Sequence, residues 1–197
     1  MVRPGEARAV RSIYILTHER RAGPKRRTPS SIEREVQMLE HAHVKGTTTP
    51  PDRDLSRVRD AIVAQHEFFT KWVRGECAGD DATFDAGVRR LSAELIGIMP
   101  GGKAFTFDAF SQYMRSIYAS NPKFRIKIRN VAIRHHIGPV FVVNYDEWER
   151  DAKDSTPANN GRLTTMVLRE SDDDFEILQV HETWLPAEVM AAGDYDF

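Results

Sequence analysis

The feature that most constrains the fold is a change of parity in an alternating apolar pattern. Apolar and basic residues alternate over residues 124–128, as in an antiparallel strand with one face in water. Past Asn130 the apolar positions change from even to odd, at Val131 and Ile133. A regular strand cannot change parity without exposing its buried face, so an extra residue near Asn130 predicts a β-bulge and a bend. The sequence therefore predicts a curved sheet.

Helical periodicity precedes this region. From Asp52 or Asp54, both suitable N-caps, apolar residues recur at spacings of three, four and seven, which predicts an amphipathic helix that ends at Gly75. A shorter helix is expected over residues 84–91, and a third after the N-cap Thr106. Between them, residues 95–99 form a short apolar run that ends in a sharp turn at Pro100-Gly101-Gly102.

Further strands are predicted after the bend. Residues 140–143 are apolar on both faces, which predicts a central strand covered on both sides that continues through residues 144–148. Residues 161–186 have two β-branched and aromatic halves around an acidic turn at residues 171–174, as in an antiparallel hairpin. Helices followed by strands favour an α+β fold. We therefore expect a cone-shaped fold, in which about three N-terminal helices pack on a strongly bent antiparallel sheet around a conical cavity.

The first 50 residues differ in composition from the rest. They are rich in Arg, Pro, Gly, Ser and Thr, so residues 1–50 are predicted to form a basic, disordered arm with one short helical pattern over residues 31–39. Residues 51–187 are predicted to form one domain and residues 188–197 a C-terminal tail. Three interpretations of the arm stay open: organelle targeting, contact with an acidic surface, or an extension without function before a start at Met38.

Charge and cysteine usage narrow the functional classes. Residues 1–30 hold eight Lys or Arg and two Glu, while the whole chain has a net charge of −1, so the predicted domain is mildly acidic and offers nucleic acid no electrostatic surface. No run of about 18 apolar residues is present to span a membrane. The single Cys77 cannot form an internal disulfide, which favours a reducing compartment or indifference to redox state. We predict a cytoplasmic protein, with organelle targeting as the alternative, and neither nucleic acid nor a membrane as partner.

The closing hairpin resembles that of a known superfamily. The residues that carry the resemblance are the opening Gly161-Arg162, the Thr-rich strand ending in Val167-Leu168-Arg169, and the aromatic-x-Ile strand that reaches His181 and Trp184. This pattern is similar to the nuclear transport factor 2-like superfamily, and residues 145–148 and 181–186 are most similar to its SnoaL-like members, called domain of unknown function 4440. The resemblance covers about residues 54–186. It implies the same cone-shaped, cystatin-like fold and a homodimer formed through the outer face of the sheet.

Side chains that point into the cone are the site candidates, because such a pocket is concave with few polar groups. His181 is the leading acid, base or ligand-orienting group, and the resemblance to SnoaL-like cyclases, which use a His and an Asp, pairs it with Asp146. Arg162 with Glu147 can clamp an acidic ligand. For each group the alternative is a purely structural role, and the sequence leaves open which face of the last strand lines the cavity. The full predicted pocket is Phe68, Trp72, Met99, Tyr113, Tyr145, Glu147, Trp148, Arg162 and His181.

Ketosteroid isomerase, of the same superfamily, offers a test. Its helical Tyr falls at Phe68 and its Asp before a Pro-Gly turn falls at Met99, and neither residue can stabilise an oxyanion or accept a proton. Its third acidic position lies near residues 164–166, which contain no carboxylate. Isomerase chemistry by that route is therefore not expected.

No metal or cofactor is predicted. His135 and His136 are adjacent in a strand and point to opposite faces, and His41-x-His43 lies in the arm without further ligands. Gly101-Gly102 lacks the Lys-Ser/Thr of a phosphate-binding loop. Three functions remain: binding of a small apolar or acidic molecule, homodimerisation without catalysis, and acid–base catalysis of the isomerase, cyclase or dehydratase type.

Overall fold

The structure, a computed structural model, describes residues 52–197 apart from Asp173. The predicted arm, with Met38, His41, His43 and the pattern over residues 31–39, lies outside the described residues. The helices are α1 (Asp52–Arg74), α2 (Asp81–Val88), α3 (Phe107–Ser116) and α4 (Ala187–Ala191). The strands are β1 (Leu91–Ile98), β2 (Ala104–Thr106), β3 (Arg125–Ile137), β4 (Val140–Arg150), β5 (Asn160–Ser171) and β6 (Asp174–Trp184). None of these helices is long and apolar enough to cross a membrane.

The six described strands form one sheet in the order β2-β1-β6-β5-β4-β3. Strands β3 to β6 are antiparallel neighbours, as predicted, whereas β1 runs parallel to β6. Helices α1 and α3 pack against the sheet on the face we call inner, and the predicted cone-shaped α+β fold is confirmed. The parallel pair was not predicted, because Ser, Glu and Gly interrupt the apolar residues of β1 and leave no regular alternation.

Helix boundaries follow local chemistry. Gly75, with a φ of 72°, ends α1 in a left-handed conformation that favours glycine, and a Cβ there would lie 2.7 Å from Ala119 Cβ. The N-cap of α3 is Thr106, as predicted, and its Oγ1 accepts a hydrogen bond from the Ala109 amide at 3.4 Å. In α2 the N-cap is Asp80, so this helix begins and ends about three residues earlier than predicted.

The bulge predicted near Asn130 is confirmed. The β3–β4 register shifts between Arg129 and Ala132, and Asn130 has a φ of 54°. Asn tolerates this backbone region better than most residues. Its Nδ2 also donates a hydrogen bond to Asp146 Oδ2 at 2.6 Å, across the strand pair. The extra residue therefore sits where the sheet bends.

A second bulge in β6 decides which side chains reach the inner face. Ile177 and Gln179 pair with consecutive residues of β5, which leaves Leu178 extra. Before the bulge the odd-numbered side chains face inward, with Ile177 buried; after it Glu182 is buried and His181 is exposed. A regular strand would keep Phe175, Ile177, Gln179, His181 and Thr183 on one face, and the bulge separates them because it reverses the parity of the strand.

Strand β4 lies between β3 and β5, as predicted for a central strand, but it is not equally covered on both faces. Phe141 and Val143 are buried on the inner face, while Val140 and Val142 are half-buried on the outer face. The inner residues contact the apolar core that includes α1. The outer valines remain partly accessible within the part of the chain that the structure describes.

Aromatic side chains fill part of the cone. Trp72 is buried, its ring centroid lies 5.0 Å from that of Phe84, and its Nε1 donates to the Met114 carbonyl at 2.8 Å. Phe68 packs on Trp72 at 5.8 Å between centroids. Its ring also occupies the space beside Gly87, where a Cβ would come within 2.1 Å of it. Phe68 and Trp72, predicted to line a pocket, are therefore members of the packed core.

Candidate functional site

A buried charged cluster lies on the inner face, between α1 and strands β4, β5 and β6. Its members are His66 from α1, Tyr145, Glu147 and Glu149 from β4, Arg162 from β5 and Glu182 from β6, and all are buried. Alternation along β4 brings its three members to one face. His66 follows the buried Ile62 by one helical turn, so the apolar spacing of α1 directs its ring at the sheet.

His66 and Glu147 form the deepest part of the charged cluster. His66 Nδ1 donates to the Ile62 carbonyl at 2.7 Å, and its Nε2 lies 3.3 Å from Glu147 Oε2 and 3.4 Å from the Tyr145 hydroxyl. Burial by itself lowers the pKa of His66, but the hydrogen bond and charge of Glu147 more than offset it, so the pKa is raised. Burial raises the pKa of Glu147, yet His66 and Arg162 bring it below its ordinary value. Both shifts favour an imidazolium paired with a carboxylate.

Arg162 is shared by three carboxyl groups. Its Nη1 donates to Glu182 Oε2 at 2.9 Å and lies 3.7 Å from Glu147 Oε1, while its Nη2 donates to Glu149 Oε2 at 2.5 Å. Burial lowers the pKa of Arg162, but the three carboxylates raise it above its usual range. Both terminal nitrogens are thus engaged, so Arg162 is not free to clamp an acidic ligand as the sequence suggested.

The charged cluster holds one carboxyl group more than its positive groups balance. Two cations, His66 and Arg162, face the three Glu residues in a desolvated site, and an unbalanced buried charge is costly. Burial, followed by the charge of Glu147, raises the pKa of Glu182 to about 8 against the effect of Arg162. Burial raises the pKa of Glu149 as well. With Glu182 protonated at neutral pH, the charged cluster has no net charge.

Glu182 lies next to an exposed aromatic residue. Trp184 follows it on the same face of β6, is 40% exposed, and has its ring 5.4 Å from the Arg162 guanidinium carbon. Glu182 is the most exposed of the three Glu residues. Only its Oε2 is hydrogen-bonded among the described residues, and the buried Arg162 Nε has no hydrogen-bond partner there. On this side of the charged cluster, Glu182 Oε1 and Arg162 Nε therefore make no hydrogen bond within the described part of the chain.

The other predicted pocket residues are dispersed. Tyr113 is 47% exposed, and its hydroxyl donates to Asp154 Oδ2 at 3.0 Å; burial and then Asp154 raise its pKa to about 12. Met99 is 37% exposed in the turn after β1. Trp148 is buried on the outer face, away from the cone. Of the predicted set, the structure brings together Tyr145, Glu147 and Arg162.

His181 and Asp146 are not part of this cluster. Both lie on the outer face, where Asp146 pairs with Leu163 and His181 with Thr165, so β5 separates them. His181 faces outward because of the bulge in β6. Asp146 faces outward because it alternates with the inward-facing Glu147. Their pairing as an acid–base couple stays a prediction, and their placement gives it no support.

Sequence reasoning missed His66, Glu149 and Glu182. A signal for His66 existed, since helical spacing places it on the buried face of α1 between Ile62 and Phe69. Glu149 shares its parity with Glu147 in β4. Glu182 was missed because a regular strand would place it on the other face from Ile177, and the bulge in β6 turns it inward. What the sequence could not supply was the contact between these elements, which are far apart along the chain.

A surface cleft of about 710 Å³ lies elsewhere, between the start of β1 and the β5–β6 turn. It contains none of the predicted site residues. Its charged groups include exposed ion pairs such as Arg89–Asp174 at 3.2 Å, and pairs of this kind contribute little. In the described part of the chain, no group of three or more His, Cys, Asp and Glu is arranged to hold a metal ion. We therefore regard the charged cluster as the better candidate site.

Solved structures similar to this chain share its fold. A nuclear transport factor 2-like protein of unknown function from Pseudomonas aeruginosa is 22% identical, with 66% of this chain and 99% of that chain covered and a TM-score of 0.59. An uncharacterised cystatin-like protein from Caulobacter vibrioides is 7% identical (70% and 93% covered, TM-score 0.52). A structure from Streptomyces avermitilis, whose name proposes a dehydratase of the nuclear transport factor 2-like family, is 18% identical (70% and 99% covered, TM-score 0.52).

These likenesses confirm the nuclear transport factor 2-like fold, and at such identities they show the fold alone. The narrower prediction of a SnoaL-like member is not confirmed. The family model that matches is instead described as Sucrose-6-phosphate phosphohydrolase C-terminal, and it covers residues 58–186. Because this match spans well over half of the chain, the protein belongs to the Sucrose-6-phosphate phosphohydrolase C-terminal family.

Proposed function

We propose that the charged cluster and Trp184 form a binding site for a small neutral molecule, in which Glu182 donates a hydrogen bond to the ligand. The observation that carries this proposal is the sharing of Arg162 and His66 by three buried Glu residues. A carboxylic acid kept neutral by a buried site can act as a hydrogen-bond donor at pH 7. Trp184 offers an exposed aromatic ring next to it.

The charge of the site selects the ligand. An acidic ligand would add a negative charge to a group that already has a surplus carboxyl, and both Nη atoms of Arg162 are occupied. A neutral, largely apolar molecule with a carbonyl or hydroxyl oxygen needs only the donor that protonated Glu182 provides. Of the two ligand classes expected from the sequence, the apolar one is therefore favoured.

Acid–base catalysis is an extension of the same proposal. A carboxylic acid with a pKa near 8 can give up a proton close to neutral pH, as a general acid must. Reactions of the isomerase, cyclase or dehydratase type need such a group, and the Streptomyces avermitilis structure is named for one of them. The resemblance to SnoaL-like proteins stays part of this proposal, with Glu182 and His66 in place of His181 and Asp146.

The test compares acetophenone with benzoate, two probes of similar shape that differ in charge. Binding is followed by the NMR shift of the Trp184 indole N–H in 15N-labelled protein, assigned with Trp184→Phe. We expect acetophenone to bind at pH 6.5 and more weakly at pH 9.5, where Glu182 has lost its proton, and benzoate to bind at least tenfold more weakly at both pH values.

Two variants separate this proposal from non-specific binding. Glu182→Gln keeps a donor at every pH, so acetophenone binding should lose its pH dependence. Glu176→Gln, on the exposed part of the same strand, should behave as the parent protein. Equal binding of benzoate, or a pH dependence that survives Glu182→Gln, contradicts the proposal.

A homodimer through the outer face of the sheet is the second candidate function. Leu163 on β5 and Ile96 on β1 are 42% and 46% exposed there, and Val140 and Val142 are half-buried on the same face. Exposed apolar residues on a central strand suit the self-complementary contact of a two-fold dimer. Sedimentation at several concentrations should show a dimer that Leu163→Lys converts to a monomer. A parent protein that sediments as a monomer at about 100 μM would exclude a dimer of ordinary affinity.

A further inference from the structure

The outer face of β3 and β4 carries a basic strip, defined as Lys127, Arg129, Arg150 and the indole of Trp148. Lys127 pairs with Trp148 across the ladder, and the two arginines lie one step to either side on the same face. Trp148 is only 6% exposed, whereas the other outer residues of β4 are half-buried. A segment outside the sheet must therefore cover it.

That segment is a C-terminal strap, residues 193–197. A Cβ at Gly193 would lie 2.3 Å from the Trp148 ring, and the ring centroids of Tyr195 and Trp148 are 5.5 Å apart. The ring of Phe197 lies 5.4 to 5.9 Å from the three cations of the basic strip. Cations on aromatic faces attract at these distances. The strap therefore meets the strip with its aromatic residues.

The acidic and backbone groups of the strap complement the same cations. Arg129 Nη2 donates to the Asp194 carbonyl at 3.1 Å and lies 3.5 Å from Asp194 Oδ2. Arg150 Nη1 donates to the Tyr195 carbonyl at 3.0 Å. Residues 193, 195 and 197 are half-buried, and Asp194 and Asp196 are exposed. The strap thus presents acceptors and aromatic rings alternately.

Tyr195 packs on Trp148 and its hydroxyl donates to the Met190 carbonyl at 3.1 Å, but the charged contacts of the strap are weak. The strap makes no ladder with the sheet, and its ion pair with Arg129 involves an Asp194 side chain that is 67% exposed. Exposed ion pairs and cation–π contacts contribute little individually, and salt screens them. The strap can leave the basic strip without disturbing a strand.

One buried donor under the strap remains unused. Trp148 Nε1 has no hydrogen-bond partner among the described residues, whereas Arg150 Nε lies 3.6 Å from Asp151 Oδ2. A covered N–H without an acceptor is unfavourable. A segment with a carboxylate or carbonyl placed against the Trp148 indole N–H would gain what the strap does not provide.

We propose that the basic strip is a recognition surface for an extended segment of a partner protein in which acidic and aromatic residues alternate, and that the strap occupies this surface as a releasable competitor. The strap shows the chemistry that fits: aromatic rings over the cations and Trp148, with acceptors on the guanidinium groups. Because it is tethered, its effective concentration is on the order of millimolar. A partner segment binds when it offers better-placed acceptors than the strap does.

The test uses a fluorescently labelled peptide with the sequence of residues 192–197, AGDYDF, and the full chain. In Tyr195→Ala/Phe197→Ala the strap can no longer compete, so the peptide should bind this variant at least tenfold more tightly than the parent, as measured by fluorescence anisotropy. Addition of Arg129→Glu should abolish binding, and the peptide AGKYKF should not bind. Raising NaCl from 50 to 500 mM should weaken binding at least threefold.

Several results would overturn the proposal. They are equal binding to parent and double variant, binding that survives Arg129→Glu, and a parent chain that dimerises by exchanging straps in place of accepting the peptide. If the double variant does not fold, hydrogen exchange of the parent chain decides. Strap amides should then exchange at least a hundredfold faster than those of β4, and equal protection would show that the strap is a fixed part of the fold.

Discussion

Replacement of Arg162 by Met tests the charge balance of the buried cluster. Arg162 is 6% exposed and contacts Glu147, Glu149 and Glu182. The side chain of Met is similarly long and apolar, so the change removes the charge with little loss of packing. Removing one partner of a buried ion pair costs about 3–5 kcal/mol, because the other charge is left uncompensated. At roughly 3 °C per kcal/mol, the melting temperature should fall by about 10–15 °C.

Arg169→Met is the matched control on the same strand. Its side chain is 46% exposed and pairs with Glu176, and such a surface pair contributes less than about 1 kcal/mol. Urea unfolding of both variants and the parent at pH 5 and pH 8.5 measures the difference. The Arg162→Met loss should be greatest at pH 8.5, where its carboxyl partners are ionised, and smaller at pH 5, where they take up protons.

Two results would refute the reasoning. If Arg162→Met lost no more stability than Arg169→Met, the guanidinium would not be compensating buried charge. If its loss were equal at pH 5 and pH 8.5, the neighbouring carboxyl groups would not titrate in response to it.

Three further outcomes are expected. The folded-state pKa of Glu182 is about 8, above its unfolded value, so its contribution to stability is complete below about pH 4.5 and is lost as the pH rises towards 8. Glu182→Gln should therefore flatten the dependence of the free energy of unfolding in urea on pH by up to about 1.4 kcal/mol per pH unit. An unchanged dependence would show that another group takes up the proton. Gly87→Ala should destabilise the folded protein by about 1–3 kcal/mol, because its Cβ would meet the Phe68 ring. Gly101→Ala, where the added Cβ has no atom within 4 Å, is the near-neutral control. Equal melting temperatures of the two variants would contradict this packing. His181→Ala, on the exposed outer face, should change stability by less than about 0.5 kcal/mol, and a loss of several degrees in thermal unfolding would show that its side chain is packed.

The bulges at Asn130 and Leu178 differ in how clearly the sequence predicts them. Around Asn130 charged residues flank the apolar ones, so the change of parity has one interpretation. Near Leu178 the adjacent Ile177 and Leu178 also change parity, but two neighbouring apolar residues suit a strand buried on both faces equally well. The bulge at Asn130 was therefore predicted from the sequence. The bulge at Leu178, and with it the inward position of Glu182, was found only in the structure.

Only part of the charged cluster could be predicted from the sequence, for a related reason. Tyr145, Glu147 and Arg162 were grouped correctly because hairpin pairing is local and follows from register. His66 joins them only through packing of α1 on the sheet, 79 residues from Tyr145 along the chain. A single sequence contains the periodicity that buries His66, but not the partner that it meets.

The extra residue at Leu178 has a consequence for how this strand tolerates changes in length. Gln179 and the residues that follow it are paired with β5 without any contribution from Leu178, so deletion of Leu178 would remove the bulge and leave Glu182 on the inner face and His181 on the outer face. The bulge can therefore absorb the loss of one residue while the hairpin and the charged cluster stay intact. Homologues that are one residue shorter at this point should keep the inward carboxyl group.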